Sequence, residues 1–182
     1  MFQCFSLCLR FLRLVLIVSL VLCTPVFAQD YGGAGNGNQT SPGGLSTRTT
    51  NKVIRHLDQG IQKCRKLEKI YRYDCYRVVY HLAASQMNGK PDYAQAQAAL
   101  VTVERTLEQI VARNRDPNPP KPNSKNRKFT PIKPTTVRKS AVQFNRALDT
   151  AETALLRSSD QSQVHFARIA AAVQSNKVLL RS

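Results

Sequence analysis

Apolar residues recur along this chain in steps of three and four, and those steps mark helices. Ile54, Leu57, Ile61 and Cys64 share one stripe, which predicts a helix from about Thr49. A second helix is expected from about Asp74 to Met87, stopped by Asn88-Gly89-Lys90-Pro91. Tyr93, Ala96, Leu100, Val103, Leu107 and Ile110 alternate 3-4-3-4-3, the heptad signature of bundle packing, with Asp92 as the expected cap. Val137, Ala141, Phe144, Leu148, Ala151 and Leu155 step 4-3-4-3-4 behind a cap at Thr135 or Thr136. Ser158-Ser159-Asp160 interrupts that pattern and can cap a last helix, whose stripe is Phe166, Ile169, Val173 and Leu180, supported by Ala170 and Leu179.

No segment sustains the alternation of a half-buried strand. The expected fold is therefore all-α: an antiparallel bundle of four or five helices with one long basic Pro-rich connection and one disulfide. Small seam residues, Ala96, Ala141 and Ala151, allow close helix approach.

Two stretches break the helical pattern. Residues 29–47 are rich in Gly, Asn, Ser and Thr and cannot bury enough apolar surface to offset their ordering entropy, so they read as a flexible lead. Within them Asn38-Gln39-Thr40 is a sequon, relevant only to a eukaryotic secretory route. Residues 114–134 carry Pro117, Pro119, Pro120, Pro122, Pro131 and Pro134 among Asn, Lys and Arg, where neither helix nor central strand persists. That segment is expected to be an extended basic linker or a long surface loop inside a single helical domain spanning 48–182.

The first 28 residues have a different character. Arg10 and Arg13 precede an uncharged apolar run, Leu14 to Leu22, then Pro25 and the small residues Val26 and Ala28. Charged start, apolar middle and small-residue cleavage site are the order of a secretory signal. The uncharged run from Leu14 to Ala28 is short for a bilayer span, which disfavours an uncleaved anchor. A lipoprotein signal at Cys23 would want a small residue before the cysteine, where Leu22 stands. The expectation is cleavage near Ala28 and a periplasmic or secreted protein, the bacterial periplasm being favoured.

Cleavage changes the cysteine arithmetic. It removes Cys4, Cys8 and Cys23 and leaves Cys64 and Cys75, an even pair suited to an oxidising compartment. In one continuous helix those residues would stand roughly 16 Å apart along the axis. A disulfide needs Cα atoms within about 7 Å. The chain must then reverse between Arg65 and Asp74, stapling two helices into a hairpin, with Asp74 expected to cap the second. Ten intervening residues make a redox-active pair, normally Cys-x-x-Cys, the less natural reading.

Charge is unevenly spread. The chain carries 27 Lys and Arg against 11 Asp and Glu. Ten basic and three acidic residues fall in 48–90, nine basic and one acidic in 113–139. Candidate anion-binding residues in the first zone are Lys63, Arg65, Lys66, Lys69, Arg72 and Arg77; in the second they are Lys121, Lys125, Arg127 and Lys128. Interleaved with the first zone are Tyr71, Tyr73, Tyr76 and Tyr80, which could stack on sugars or bases beside the cations. The plainer reading is that the 3-4 step of Tyr73, Tyr76 and Tyr80 is the half-buried edge of a helix. The second zone reads either as a polybasic tether for an anionic surface or as a loop kept soluble by lysine.

Catalytic and metal patterns are missing. His56, His81 and His165 are isolated, no His-Glu-x-x-His or Cys-x-x-Cys-His occurs, and no nucleophile elbow or phosphate-binding glycine loop is present. A haem between His81 or His165 and Met87 needs no motif but has no positive sign, so no cofactor and no metal are expected. The acid pairs Glu104/Glu108 and Asp149/Glu152 have arginines within a turn and read as surface ion pairing. The expected function is a non-enzymatic binding module for an anionic envelope component, such as lipopolysaccharide, anionic lipid or cell-wall polymer. The alternative is a structural or chaperone-like protein that binds other proteins. Dedicated nucleic-acid recognition is not expected, because no recognised motif accompanies the charge.

Overall fold

Five α-helices and no named strand make up the described residues of the computed structural model, 44–158 and 160–181; for 160, 161 and 178–181 only the helical path is described. The expected signal, the lead up to Gly43, the Asn38 sequon, Ser159, and the side chains of Asp160, Leu179 and Leu180 lie outside these residues. The helices are α1 (Thr47–Arg65), α2 (Arg72–Ser85), α3 (Ala94–Asn114), α4 (Val137–Leu156) and α5 (Asp160–Arg181). Single 3₁₀ turns, Lys69–Tyr71, Pro91–Tyr93 and Pro134–Thr136, lead into α2, α3 and α4.

Each stripe faces inward. Val53, Leu57, Ile61 and Cys64 of α1 are buried, with Ile54 at the edge; the whole expected seam of α3 is buried, and Val111 extends it. In α4, Phe144, Leu148, Ala151 and Leu155 are buried, while Val137 and Ala141 are only half-covered at its first turns. Phe166, Ile169, Ala170 and Val173 of α5 complete one core cluster. Every helix packs on its successor in the chain, and α5 returns to pack on α1, so the bundle closes as a ring.

A close approach in that ring lies at Gly60. A Cβ there would meet the two γ-methyls of Val79 at 2.6 and 2.7 Å, so a hydrogen at this position lets α1 and α2 draw together.

The helix starts differ from expectation. Asp74 does not cap α2: the helix begins two residues earlier, placing its carboxylate in the first turn, where it meets Arg77 and the backbone of Thr130. Asp92 does not cap α3 either, because the 3₁₀ turn Pro91–Tyr93 occupies that place. Thr136 precedes α4, but its hydroxyl donates back to Lys133 O instead of capping forward. After α2, Gly89 takes φ +69°, the left-handed turn expected of Asn-Gly before Pro91.

One end of the bundle is fastened by a polar chain. Tyr93 Oη receives Ser46 N–H at 3.0 Å, donates to Ser46 O at 2.7 Å, and lies 2.8 Å from Thr50 Oγ1, which is itself 2.8 Å from His165 Nδ1. These bonds join α1, α3 and α5 where apolar packing alone would leave buried hydroxyls unsatisfied. The other end of α1 carries the reversal and the long loop.

Candidate cationic face

Cys64 and Cys75 are bonded, with Cα atoms 5.6 Å apart. The chain reverses between them, as the spacing required. Lys66 N–H and Leu67 N–H close the end of α1 on Lys63 O and Cys64 O, and Tyr71 N–H closes the 3₁₀ turn on Glu68 O. Arg72 Nε donates to Leu67 O at 2.9 Å and holds the reversal from within.

The basic segment 115–133 is not a free tether; it is folded onto this reversal. Asp116 Oδ1 accepts from Asn118 N–H, and Asn123 Oδ1 accepts from Lys125 and Asn126 N–H, so short side chains supply the turns where prolines deny helix. Ile132 is fully buried, and Phe129 packs on the core, giving the loop apolar anchors. Its two ends pair as an isolated antiparallel bridge between Arg115 and Ile132.

The bonds from loop to reversal are specific. Ile132 N–H donates to Ile70 O at 3.0 Å, and Thr130 N–H to Asp74 Oδ2 at 2.8 Å. Asn123 Nδ2 and Asn126 Nδ2 both donate to Glu68 Oε1, at 3.2 and 2.7 Å. Tyr71 Oη lies 3.4 Å from Pro120 O. Segments some 55 residues apart in sequence thus share one end of the bundle.

This brings the two cationic zones together. Lys63, Lys66 and Lys69 are exposed around the reversal, and Lys121, Lys125, Arg127 and Lys128 are exposed on the loop docked against it. Two candidates are committed elsewhere in part, Arg72 to Leu67 O and Arg77 to Asp74 Oδ1 at 2.7 Å, and Arg65 is half-buried. Asn123 and Asn126, which help Glu68 and Asp74 assemble the surface, carry no signature in the sequence that would single them out. The one sequence sign was a lone acid at 68 amid five cations from Lys63 to Arg72.

The tyrosines are not a stacking platform. Tyr71, Tyr73, Tyr76 and Tyr80 expose 1, 6, 2 and 0 % of their surfaces. Tyr76 stacks on Phe144 with centroids 5.4 Å apart, Tyr80 meets the same ring edge-on, and Tyr73 Oη donates to Val137 O at 2.9 Å. Burial pushes the Tyr73 and Tyr76 phenols up to about 12, and raises Tyr71 and Tyr80 as well. The 3-4 step of the last three was the inward edge of α2; Tyr71 joins them through the preceding 3₁₀ turn.

Elsewhere, a groove of about 500 Å³ runs between α1 and α5, lined by Asp58, Gln62, Arg168 and Asn176 among others. Burial raises the Asp58 carboxyl, and Asn176 is buried with neither amide atom bonded among the described residues. His81 lies 2.8 Å from Glu104 on the outer side of α2 and α3. Among the described residues, no group of three or more His, Cys, Asp or Glu is placed to hold a metal, and no helix is long and apolar enough to cross a membrane. No family model, curated protein or solved structure matches the chain.

Proposed function

We propose that this chain is an exported, non-enzymatic binding module whose antiparallel helical bundle presents one cationic end to an anionic envelope component: lipopolysaccharide, anionic lipid or cell-wall polymer. The observation that carries this reading is the docking of the basic loop on the basic reversal. Holding seven exposed cations at one end costs mutual repulsion that scattering them would avoid, and a polyanion relieves it. Export after cleavage near Ala28, to the periplasm or outside the cell, rests on the order of charged, apolar and small residues in 1–28 and on an even cysteine pair after cleavage.

The test is binding of the mature chain to lipopolysaccharide, to phosphatidylglycerol-containing vesicles and to soluble polyphosphate, each from low to high salt. Affinity is expected to fall steeply with salt. Reversing Lys63, Lys66, Lys69, Lys125 and Lys128 to Glu is expected to abolish it, while reversing Arg138, Lys139 and Arg146 on α4 leaves most of it. Arg72 and Arg77 are left intact because they hold the fold. Affinity that survives both high salt and the five reversals would overturn the electrostatic reading. Suppression of client-protein aggregation that persists in high salt would favour the chaperone-like alternative.

A further inference from the structure

We infer that Glu68, an acid in the middle of the cationic face, is a positioning residue for anion binding, and that removing its acceptor oxygen weakens the face its charge opposes. This rests on the reading above, that the face is where the anion binds. Glu68 is exposed beside Lys69 and two residues from Lys66. Its Oε1 accepts from both Asn123 and Asn126, the two loop asparagines that bracket Lys125. Asn126 is fully buried, so the backbone between Lys125 and Arg127 is drawn down onto the reversal at that point.

Two effects of Glu68 oppose each other. Its charge repels an incoming polyanion. Its acceptor oxygen holds the loop that supplies Lys121, Lys125, Arg127 and Lys128. Without that oxygen, the Asn126 amide loses its partner in a buried site, and the loop retains Thr130 and Ile132 as its nearest tethers on the far side. An unheld loop samples many positions and presents its cations together with the reversal only part of the time.

Two substitutions separate the effects, because both delete the charge. Glu68→Gln keeps an oxygen in place; Glu68→Ala does not. Trypsin reads loop docking without any ligand, cutting after Lys125, Arg127 and Lys128, whereas Pro122 protects the bond after Lys121. Wild type and Glu68→Gln are expected to resist, and Glu68→Ala to be cut about tenfold faster under native conditions. With soluble polyphosphate at low salt, Glu68→Gln is expected to bind about twofold to fivefold tighter than wild type, and Glu68→Ala to bind more weakly than wild type. Equal trypsin resistance and equal affinity of the two variants would overturn the inference. If trypsin separates the variants as expected but wild type itself does not bind polyphosphate, the loop-holding role stands and the anionic reading of the face fails.

Discussion

His165 Nδ1 lies 2.8 Å from Thr50 Oγ1, a bond between the first and last helices that spans 115 residues of sequence. It sits in the buried polar chain with Tyr93, whose ring meets the imidazole edge-on at 6.4 Å. Burial, and secondarily the positive Arg168 one turn away, push the His165 pKa below its ordinary value. The unfolded chain therefore takes up a proton first. Stability is full above about pH 6.5, where both states are neutral, and falls as pH drops from there through the lower folded value. Thermal unfolding between pH 7 and 5 is expected to show this slope. His165→Asn is expected to flatten it, whatever its effect on stability at pH 7; an unchanged slope would assign the pH dependence to another group.

The Gly60–Val79 contact predicts a compensating pair. In an open helix Ala outranks Gly by about 1 kcal/mol. Here the added methyl collides with Val79, so Gly60→Ala is expected to destabilise by about 1–3 kcal/mol. Val79→Ala alone leaves a cavity and also destabilises. The double variant is expected to lose less than the two losses added, a coupling measurable in a urea double-mutant cycle. Simple additivity would mean the helices had shifted apart.

Replacing Cys64 and Cys75 together with Ser is expected to lower unfolding free energy by about 3 kcal/mol, the loop-closure contribution for a ring of this size. Tryptic cuts after Lys125 to Lys128 should then appear below the urea concentration at which helicity is lost, because the loop's acceptors lie in or beside the reversal. Coincident loss of protection and helicity would show that the reversal keeps its shape without the bridge.

Asn176 is fully buried, and neither of its amide atoms has a hydrogen-bond partner among the described residues. An apolar residue of similar size removes an unsatisfied pair of polar groups at little packing cost. Asn176→Leu is accordingly expected to raise stability by about 1–2 kcal/mol in urea titration. A loss of stability would mean the amide is bonded in solution.

Legibility in the sequence followed the range of the forces involved. Helices came through because a 3-4 step such as Leu57–Ile61–Cys64 is a local consequence of helical pitch. The disulfide came through from the even pair that Cys64 and Cys75 form after cleavage, and the reversal because axial rise forbids an unbroken helix between bonded cysteines. The loop did not, because its order comes from acceptors on Glu68, Ile70 and Asp74, far away in sequence, and a Pro-Asn-Lys segment is compositionally the same whether docked or free. Gly60 gives no such sign, since a glycine inside a helix discloses a close neighbour only once Val79 is in place. Tyrosine among cations carries the same ambiguity: Tyr76 and Tyr80 fit both a helix edge and a ligand platform until Phe144 covers them.

The first helix is also a spacer. Ser46 is held at the Tyr93 end, and the 19 residues of α1 set the cationic reversal roughly 28 Å away. Anything joined ahead of residue 44, whether a sensor surface, a dye or a second protein, is therefore attached at the back of the molecule. Immobilised from that side, the protein leaves Lys63, Lys66, Lys69, Lys121, Lys125 and Lys128 facing away from the support; amine coupling would consume the same lysines.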